Sequence, residues 1–238
     1  MSLKTSNLAF KARVDREVHN EIMRKAVVKA QETIGTNRQK MVDELGHWEE
    51  WRDLSKQIRN HVLANLDAYL YQLSEKVMEN GGKVYFAETA EEATEYIRQV
   101  ALKKNAKKIV KSKSMVTEEI GLNGVLEKEG MQVIETDLGE YLLQISGDKP
   151  SHIVVPAIHK DRHQIRKDLH EKLGYEGAET PEDMTRFVRE KIRQDFLEAD
   201  IGISGCNFAV AETGSVCLVT NEGNLRLATT LPKTHIAV

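Results

Sequence analysis

The chain has 238 residues, of which 40% are hydrophobic and 30% are charged, a composition typical of a globular protein with one large α/β domain and an appendage, or with two small domains. A formal net charge of −3 and a pI near 6.3 argue against general nucleic-acid or anionic-membrane binding, so small molecules or other proteins are the expected partners. No apolar run approaches the ~20 residues that span a bilayer, and the start lacks the apolar core of a signal peptide, so a cytoplasmic location is expected.

Residues 1–81 predict a helical extension. Apolar residues recur every four positions from Phe10 onward, and residues 34–37 carry helix-ending chemistry. A second apolar stripe steps by three or four residues from Trp48 to Val77, before two glycines at positions 81 and 82. An unbroken helix there would be on the order of 50 Å long at ~1.5 Å per residue, so we expect it to bend, to break or to cover a partner.

This second stripe contains more large apolar residues than one side of a compact domain can readily cover. Because exposed apolar patches usually mark interfaces, we expect the stripe to form a homodimer or to contact another subunit. Trp48 and Trp51 are interpreted as core residues of the stripe rather than as recognition residues.

From Gly82 onward, the pattern changes to alternating strands and helices, which predicts an α/β domain over residues 82–238. Such units require parallel pairing with right-handed crossovers. Helices are expected after a Thr89 cap and over residues 115–130, 161–173 and 182–199. Strands are expected at residues 83–87, 108–111, 131–136, 141–145, 152–157, 201–204, 215–220, 225–230 and 235–238.

Residues 111–114 leave a predicted strand and enter a predicted helix. Two lysines, two serines and free helix N–H groups together make an anion-binding arrangement. The segment is not the glycine-rich phosphate loop, however, and a solvated strand end explains its lysines equally well. The sequence leaves both interpretations open.

Three other groups contain metal-ligand residue types. Glu135 and Asp137 would share one strand face and suit a hard cation, although a solvated strand end is the simpler interpretation. His159 and His163 are four residues apart without an adjacent third ligand, which favours surface histidines. The two cysteines are too few for a four-cysteine zinc site or an iron–sulfur cluster, and we interpret Cys206 and Cys217 as small buried hydrophobic residues. No metal site is predicted.

The stretch from residue 201 to 238 alternates β-rich runs with two polar, glycine-containing turns. Two simple hairpin or crossover turns are the alternative interpretation. If strands 108–111 and 201–204 are parallel neighbours or near neighbours, their carboxyl ends and the following turns line one crevice. We therefore predict a pocket for a small anion, formed by Lys111, Ser112, Lys113, Ser114, Gly205, Asn207, Thr213, Gly214 and Arg226.

In this predicted pocket, Lys111 or Lys113 would neutralise a carboxylate or phosphate, and Arg226 on the next strand would make a bidentate contact. Glu212 is the candidate catalytic residue. It would act either as a general base toward a hydroxy acid or as an acceptor for backbone N–H groups in its own turn.

Four long runs resemble the LUD domain family and, within it, the amino-terminal part of the lactate utilization protein B family. The runs are GGKVYFAETAEEA, KSKSMVTEEIGLN, ETDLGEYLLQISGDKPSHIVVPAIHK and GISGCNFAVAETGSVCLVTNEGNLRLATTLPKTHIAV. The resemblance implies a Rossmann-like α/β domain related to the phosphosugar isomerase and coenzyme A transferase fold. It also implies a bacterial three-protein system that oxidises L-lactate to pyruvate, in which this component carries iron–sulfur clusters.

The sequence departs from this family in its cysteines. Family members continue into a ferredoxin-like region with cysteine-ligated [4Fe–4S] clusters, whereas this chain has two cysteines and no CxxC motif. We therefore expect no cofactor in this chain, the clusters in a missing carboxyl-terminal region, and a domain truncated after Val238. The chain alone should be colourless and oxidise no lactate. Other lactate-utilization subunits are its expected partners.

Two functional hypotheses follow. In the first, the domain belongs to an electron-transfer oxidoreductase, where it docks partners or binds lactate. In the second, it is a small-molecule-binding or transferase-like module, because transferases of this fold place a catalytic glutamate before a glycine, as Glu212 stands here. The long runs favour the first, since the Glu-Thr-Gly similarity covers three residues only.

Overall fold

The computed structural model describes residues 10–152 and 155–238. Its helices and strands follow in the order α1 (Phe10–Val18), α2 (Glu21–Leu45), α3 (Trp48–Ala64), α4 (Leu66–Glu79), α5 (Ala90–Lys103), β1 (Lys108–Lys111), α6 (Met115–Glu119), α7 (Leu122–Lys128), β2 (Gln132–Glu135), α8 (Leu138–Ser146), α9 (Arg162–Leu173), α10 (Pro181–Glu198), β3 (Ile201–Ser204), β4 (Phe208–Val210), β5 (Ser215–Cys217), α11 (Asn224–Thr230) and β6 (Thr234–Ala237).

The described residues divide into two compact units. The sheet unit contains residues 10–26, 86–206 (without 153–154) and 218–238, and the helical unit contains residues 27–85 and 207–217. Helix α2 begins in the first and ends in the second. The predicted boundary at residue 81 therefore does not coincide with the boundaries of these two units, which are defined by internal packing.

The centre of the sheet unit is a four-stranded sheet in the order β2-β1-β3-β6. Its three strand pairs are all parallel, and β1 lies directly beside β3 with Ile109 opposite Ile201. Both residues are fully buried, as expected for strands covered by helices on two faces. The predicted class, an α/β protein with a mostly parallel sheet and a helical amino-terminal part, is confirmed.

Apolar side chains fill both faces of this sheet, because successive strand residues point to opposite sides. Val110 belongs to the core between the sheet and helices α8 to α11, whereas Ile109 belongs to the core on the side of α5 and α7. At Gly202 in β3, an added Cβ would lie 1.7 Å from the backbone oxygen of Ala228. Only glycine therefore allows α11 to approach the strand this closely.

Two predicted strands are helices in the structure. Residues 141–145 lie in α8, where Asp137 accepts a hydrogen bond from the Glu140 N–H and Gly147 ends the helix in the left-handed conformation. Residues 225–230 lie in α11, which follows Gly223 and packs on β3 through Ala228. In both segments the apolar residues also fit the helical period, and in α8 the flanking caps favour the helix.

Two further strand predictions fail in part or in full. Residues 83–87 contain no strand, so α5 precedes β1 without the predicted βαβ unit. Of the predicted strand at residues 152–157, residues 153–154 lie outside the described residues, and residues 155–157 form a bend and turn instead. The predicted cap of α5 is confirmed, since the Thr89 hydroxyl accepts from the Glu92 N–H at 3.2 Å.

Helix breaks differ from the predicted ones as well. Helix α2 continues through residues 34–37 to Leu45, because one exposed helical glycine costs only about 1 kcal/mol. The break lies earlier, where Asn20 accepts a hydrogen bond from the Met23 N–H.

The long second stripe breaks at Asn65 into helices α3 and α4. A break was one of the three outcomes expected for this stripe, besides a bend and a covered partner surface. The predicted helix over 115–130 divides at Gly121, which has φ +68°.

Within the helical unit, β4 and β5 form an antiparallel hairpin beside the end of α4. The Asn80 side chain donates to the Thr213 carbonyl at 3.0 Å. No residue of α3 is buried, and the Trp51 side chain is 52% exposed. Trp48 is half-buried, with the Arg38 guanidinium 5.5 Å from its ring centroid. The interpretation as a core residue is therefore wrong for Trp51, whereas Trp48 is partly covered.

Candidate functional site

Buried polar side chains collect where the sheet strands end at their carboxyl ends. Charged and hydroxyl side chains are rarely buried without a specific role, and ligands bind at this edge of open α/β sheets. The residues that supply them from β1, β2, β3 and the following helices are Lys111, Ser112, Thr117, Glu118, Asn123, Glu135, Thr136, Glu140 and Ser204.

The ammonium group of Lys111 lies at the centre of this cluster and is fully buried. Its Nζ atom is 3.0 Å from Glu135 Oε1 and 3.2 Å from Glu118 Oε1, and it donates to Thr117 Oγ1 at 3.1 Å. Burial alone would lower the pKa of Lys111, but the carboxylates of Glu135, Glu118 and Glu140 outweigh this effect and raise it. Lys111 is therefore a charged residue whose three N–H donors are used inside the protein.

Helix caps place the partners of Lys111. Ser114 Oγ accepts from the Thr117 N–H at 3.3 Å, which starts α6 with Thr117 and Glu118 in its first turn. On β2, Glu135 Oε1 also accepts from the Asn123 side chain of α7 at 2.6 Å. The Asp137 cap of α8 sets Glu140 in the corresponding position beside β2.

Glu140 differs from the other carboxyl groups of the cluster. Its burial, reinforced by repulsion from Glu135, raises its pKa to about 8, although the charge of Lys111 acts in the opposite direction. Glu140 is therefore protonated at neutral pH. It provides a proton donor or acceptor at the edge of the sheet.

The cluster opens into a cavity of about 240 Å³. Three buried oxygen atoms of its lining residues have no hydrogen-bond partner: Asn123 Oδ1, Glu135 Oε2 and Glu140 Oε2. The polar wall is completed by Glu118 and Glu127, while Met115 and Leu143 contribute apolar surface. A cavity with convergent polar atoms and one perturbed carboxyl group is the expected form of a small-molecule site.

The structure brings several predicted site residues to this edge of the sheet unit. Ser112 and Ser114 are buried beside Lys111, and Gly205 lies against Ser114, whose Cβ and Oγ would be 3.3 Å from an added Cβ. Arg226, in contrast, lies on helix α11 with an exposed side chain, so its predicted place on a strand is wrong. The roles of all these residues in ligand binding stay predictions.

The other predicted site residues belong to the helical unit. The Asn207 N–H donates to the Cys217 carbonyl at 3.2 Å, and Thr213 Oγ1 donates to Ser215 Oγ at 2.9 Å, both within the β4–β5 hairpin. Gly214 has φ +68°, and an added Cβ would meet the backbone of Lys76 at 2.6 Å. Glu212 lies exposed between the two strands. A ligand shared with residues 111–114 stays a prediction.

The residues weighed as metal ligands have other contacts. Glu135 contacts Lys111 and Asn123, and Asp137 caps α8. His159 Nδ1 lies 2.7 Å from Ser151 Oγ, and His163 Nδ1 lies 3.2 Å from Glu179. Across residues 10–152 and 155–238, no group of three or more His, Cys, Asp or Glu residues has a metal-binding arrangement.

Both cysteines are exposed, so their interpretation as buried hydrophobic residues is wrong. The strands β4 and β5 form a two-stranded ribbon with no buried residue, and an apolar strand sequence there does not place Cys217 in a core. Two cysteines also do not supply the four protein ligands that a cysteine-ligated iron–sulfur cluster requires.

Sequence reasoning did not identify Glu118, Asn123 and Glu140 as site residues. The sequence did contain a signal for Glu140, because Asp137 and Glu140 are spaced like the two members of a helix-capping pair. That pattern would have predicted α8 and placed Glu140 beside the end of β2. Asn123 has no comparable local signal, since its role depends on the packing of α7.

The sheet and its polar edge define an α/β protein with a candidate site at the carboxyl ends of parallel strands. The LUD domain family model matches residues 70–238, and the chain belongs to this family. No solved structure matches it. Within the described residues, no helix has the length and hydropathy required to cross a bilayer.

Several relatives, including the three that follow, match this chain over its whole length. It is 74% identical over 238 residues to the "uncharacterized electron transport protein YkgF" of Escherichia coli (strain K12). It is 62% identical over 239 residues to lactate utilization protein B of Bacillus subtilis (strain 168), and 59% identical over 238 residues to the protein of the same name from Bacillus cereus (strain ATCC 14579). In each comparison the chain spans 50% of the relative's length.

Proposed function

We propose that this chain is the LUD-domain portion of a cytoplasmic iron–sulfur oxidoreductase component that takes part in the oxidation of L-lactate to pyruvate. The support for lactate is the lactate utilization protein B relatives, and the support for electron transfer is the name of the Escherichia coli relative. Because the chain spans half of their length, the [4Fe–4S] clusters of the proposed component would lie in the other half.

The observation that carries a binding role for this chain is the buried polar edge of the sheet. The three donors of Lys111 are used by protein oxygens, so the charge that meets a carboxylate in the proposed site comes from Lys113. Ser112 and Ser114 lie on either side of Lys113 and carry hydroxyls. In this proposal, they orient the carboxylate of lactate or pyruvate at the end of β1.

Growth on L-lactate tests this function. The complete gene that contains this chain is expressed in a bacterium that lacks its own lactate-utilization component of this kind. The unchanged gene should restore growth on L-lactate, and Lys113→Ala should slow it. Lys103→Ala, on the exposed end of α5, is the matched control. Growth on glucose should be equal in all strains, and failure of the unchanged gene on L-lactate would contradict the proposal.

Partner binding belongs to the same proposal. The helical unit exposes large apolar side chains along α3 and α4, and these would contact another lactate-utilization subunit or a second copy of this chain. The exposed residues are Trp51, Leu54, Ile58, Leu63, Leu66, Tyr71 and Met78.

The second candidate function is a small-molecule-binding or transferase-like module that uses Glu212. The observation in its favour is the exposed position of Glu212 in a glycine-containing turn, where a carboxylate nucleophile is accessible to a substrate. Acyl transfer from an acyl-coenzyme A to a carboxylic acid tests it. Loss of a measurable transfer in Glu212→Gln, but not in Glu222→Gln, would support this function, and absence of transfer in the unchanged chain would exclude it.

A further inference from the structure

The cavity at the sheet edge carries an excess of negative charge. Glu118, Glu127, Glu135 and Glu140 line it, and the neighbouring Lys111 already contacts two of them. With Glu140 protonated, three carboxylates still face one ammonium group. A bound carboxylate would increase this imbalance, whereas a bound cation would reduce it.

The unpartnered oxygen atoms point to the same kind of ligand. Asn123, Glu135 and Glu140 are 8%, 3% and 9% exposed, and each has one buried oxygen without a hydrogen-bond partner. Buried acceptors of this kind are rare in folded proteins, because each has lost its water without gaining a donor. Asn123 Oδ1 and Glu135 Oε2 are acceptors, and Glu140 Oε2 becomes one when Glu140 loses its proton, so the three match a ligand that supplies several N–H donors.

We propose that this cavity binds a small primary ammonium compound, whose N–H groups donate to Asn123, Glu135 and Glu140. The volume of about 240 Å³ corresponds to about eight water molecules at ~30 Å³ each, so the ligand has few heavy atoms. Its carbon chain would contact Met115 and Leu143. The described His, Cys, Asp and Glu residues form no metal-binding group, which favours an organic cation over a metal ion. This site is independent of the proposed lactate function.

Binding of the cation is coupled to a proton of Glu140. The charged and titratable groups around Glu140 come from every element that packs against it: Lys111 of β1, Glu118 of α6, Glu127 of α7, Glu135 of β2, the Asp137 cap of α8 and His152 after α8. An ammonium ligand stabilises the ionised carboxyl group, so it lowers the raised pKa of Glu140 and the proton leaves. Affinity should therefore rise with pH up to about 8 and then level off.

Three probes of similar size and different charge test the site: propylammonium, propanol and propionate. Each is titrated into the full chain, with the methyl resonances of Met115 and Leu143 as reporters inside the cavity. Propylammonium should shift both resonances and bind at least about tenfold more tightly than the other two. Calorimetry at pH 7 in two buffers of different ionisation enthalpy should show proton release. Alkylammonium groups keep their charge up to about pH 10, so the ligand itself does not titrate in this range.

Variants separate the roles of the carboxyl groups. Glu140→Gln resembles the protonated form and should remove both the proton release and the pH dependence of propylammonium affinity. Glu127→Gln, at an exposed wall position, should weaken binding about twofold or more while the fold is retained. Glu91→Gln, on the exposed first turn of α5, is the matched control and should bind like the unchanged chain.

Three results would overturn the proposal: propionate binding as tightly as propylammonium, an unchanged pH dependence in folded Glu140→Gln, or absence of any propylammonium shift at Met115 and Leu143. L-lactate is titrated as a fourth probe. If it shifts these methyl groups and propylammonium does not, the cavity is the hydroxy-acid site and the ammonium proposal alone fails. The growth test with Lys113→Ala does not depend on this outcome.

Discussion

Each unit of this protein places some side chains against the usual rule that charged residues are exposed and apolar residues are buried, and the two units differ in which rule is broken. The sheet unit buries a lysine and several glutamates at the end of its strands, whereas the helical unit exposes apolar residues along helices that have no buried residue. The buried charges are stabilised by partners within the unit, as in the contacts of Lys111. Within the part of the chain that the structure describes, the exposed apolar residues of α3 are not covered. The first arrangement is typical of a preformed site, and the second of a surface that contacts another molecule.

Removal of the buried ammonium group should have the largest effect on the sheet unit. Lys111→Met leaves Glu118 and Glu135 as buried carboxylates without a countercharge, so we expect a loss of about 3–5 kcal/mol in the free energy of unfolding. Chemical denaturation measures it. Lys113→Met, two residues later, should lose much less, and equal losses in the two variants would show that burial of Lys111 does not matter to stability.

A pair of glycine substitutions compares packing in the two units. Gly202→Ala places a methyl group against the backbone of Ala228 and should destabilise the chain by about 2–3 kcal/mol. Gly35→Ala lies in the exposed interior of α2 with no atom within 4 Å, and it should stabilise by up to about 1 kcal/mol. Thermal unfolding of both variants checks the difference in sign. A stable Gly202→Ala variant would mean that α11 does not pack closely on β3.

The raised pKa of Glu140 makes stability depend on pH. In the folded chain Glu140 keeps its proton up to about pH 8, whereas the unfolded group loses it near its ordinary value of 4.5. The folded state therefore binds more protons between these values, and the free energy of unfolding falls as pH rises from about 5 to 8. We expect a change of about 3–4 kcal/mol between pH 5 and 8.

Unfolding measured at several pH values checks this dependence. Glu140→Gln should show a flatter profile and should be more stable than the unchanged chain above pH 8, because it carries no buried charge there. Glu91→Gln, an exposed control on α5, should keep the original slope. If the free energy of unfolding of Glu140→Gln fell with pH as steeply as that of the unchanged chain, the assignment of the proton to Glu140 would be contradicted.

The smallest effect on stability is expected in the helical unit. Trp51→Ala and Ile58→Ala remove exposed side chains of α3, so each should change the free energy of unfolding by less than about 0.5 kcal/mol. Both should weaken association with a second copy or a lactate-utilization subunit, which sedimentation measures with and without the partner. Lys56→Ala on the same helix is the matched polar control. Unchanged association in both apolar variants would contradict the docking role.

Strands of the sheet unit were predictable because their signals are local. The strands at residues 108–111, 131–136 and 201–204 are short apolar runs, and their burial on two faces is what a parallel sheet requires. The segment that became α8 was ambiguous, since its apolar residues suit both a strand and a helix. The Asp137 cap and Gly147 decide for the helix, and these signals must be weighed together with the apolar pattern.

The position of the candidate polar cluster was predictable from the sequence, but the residues around Lys111 were not. This position follows from the parallel strands, which set residues 111–114 at the end of β1 beside β3. The partners of Lys111 come from α6 and from β2, and no local pattern shows that Glu118 and Glu135 approach the same ammonium group. The sequence therefore indicates a cation at this edge, while only packing shows that its charge is already neutralised.

The pairing of β1 with β3 has a consequence for the order of folding. Ile109 lies beside Ile201, although most of the sheet unit's helices separate them along the chain. During synthesis β1 can pair early with β2, its near neighbour in sequence, but it must wait for β3 to emerge. Distant pairings of this kind slow folding because a long loop must close first. We therefore expect the Ser112 N–H, which donates to the Ile203 carbonyl at 2.9 Å, to become protected from hydrogen exchange late in refolding, after α7 and β2 have formed.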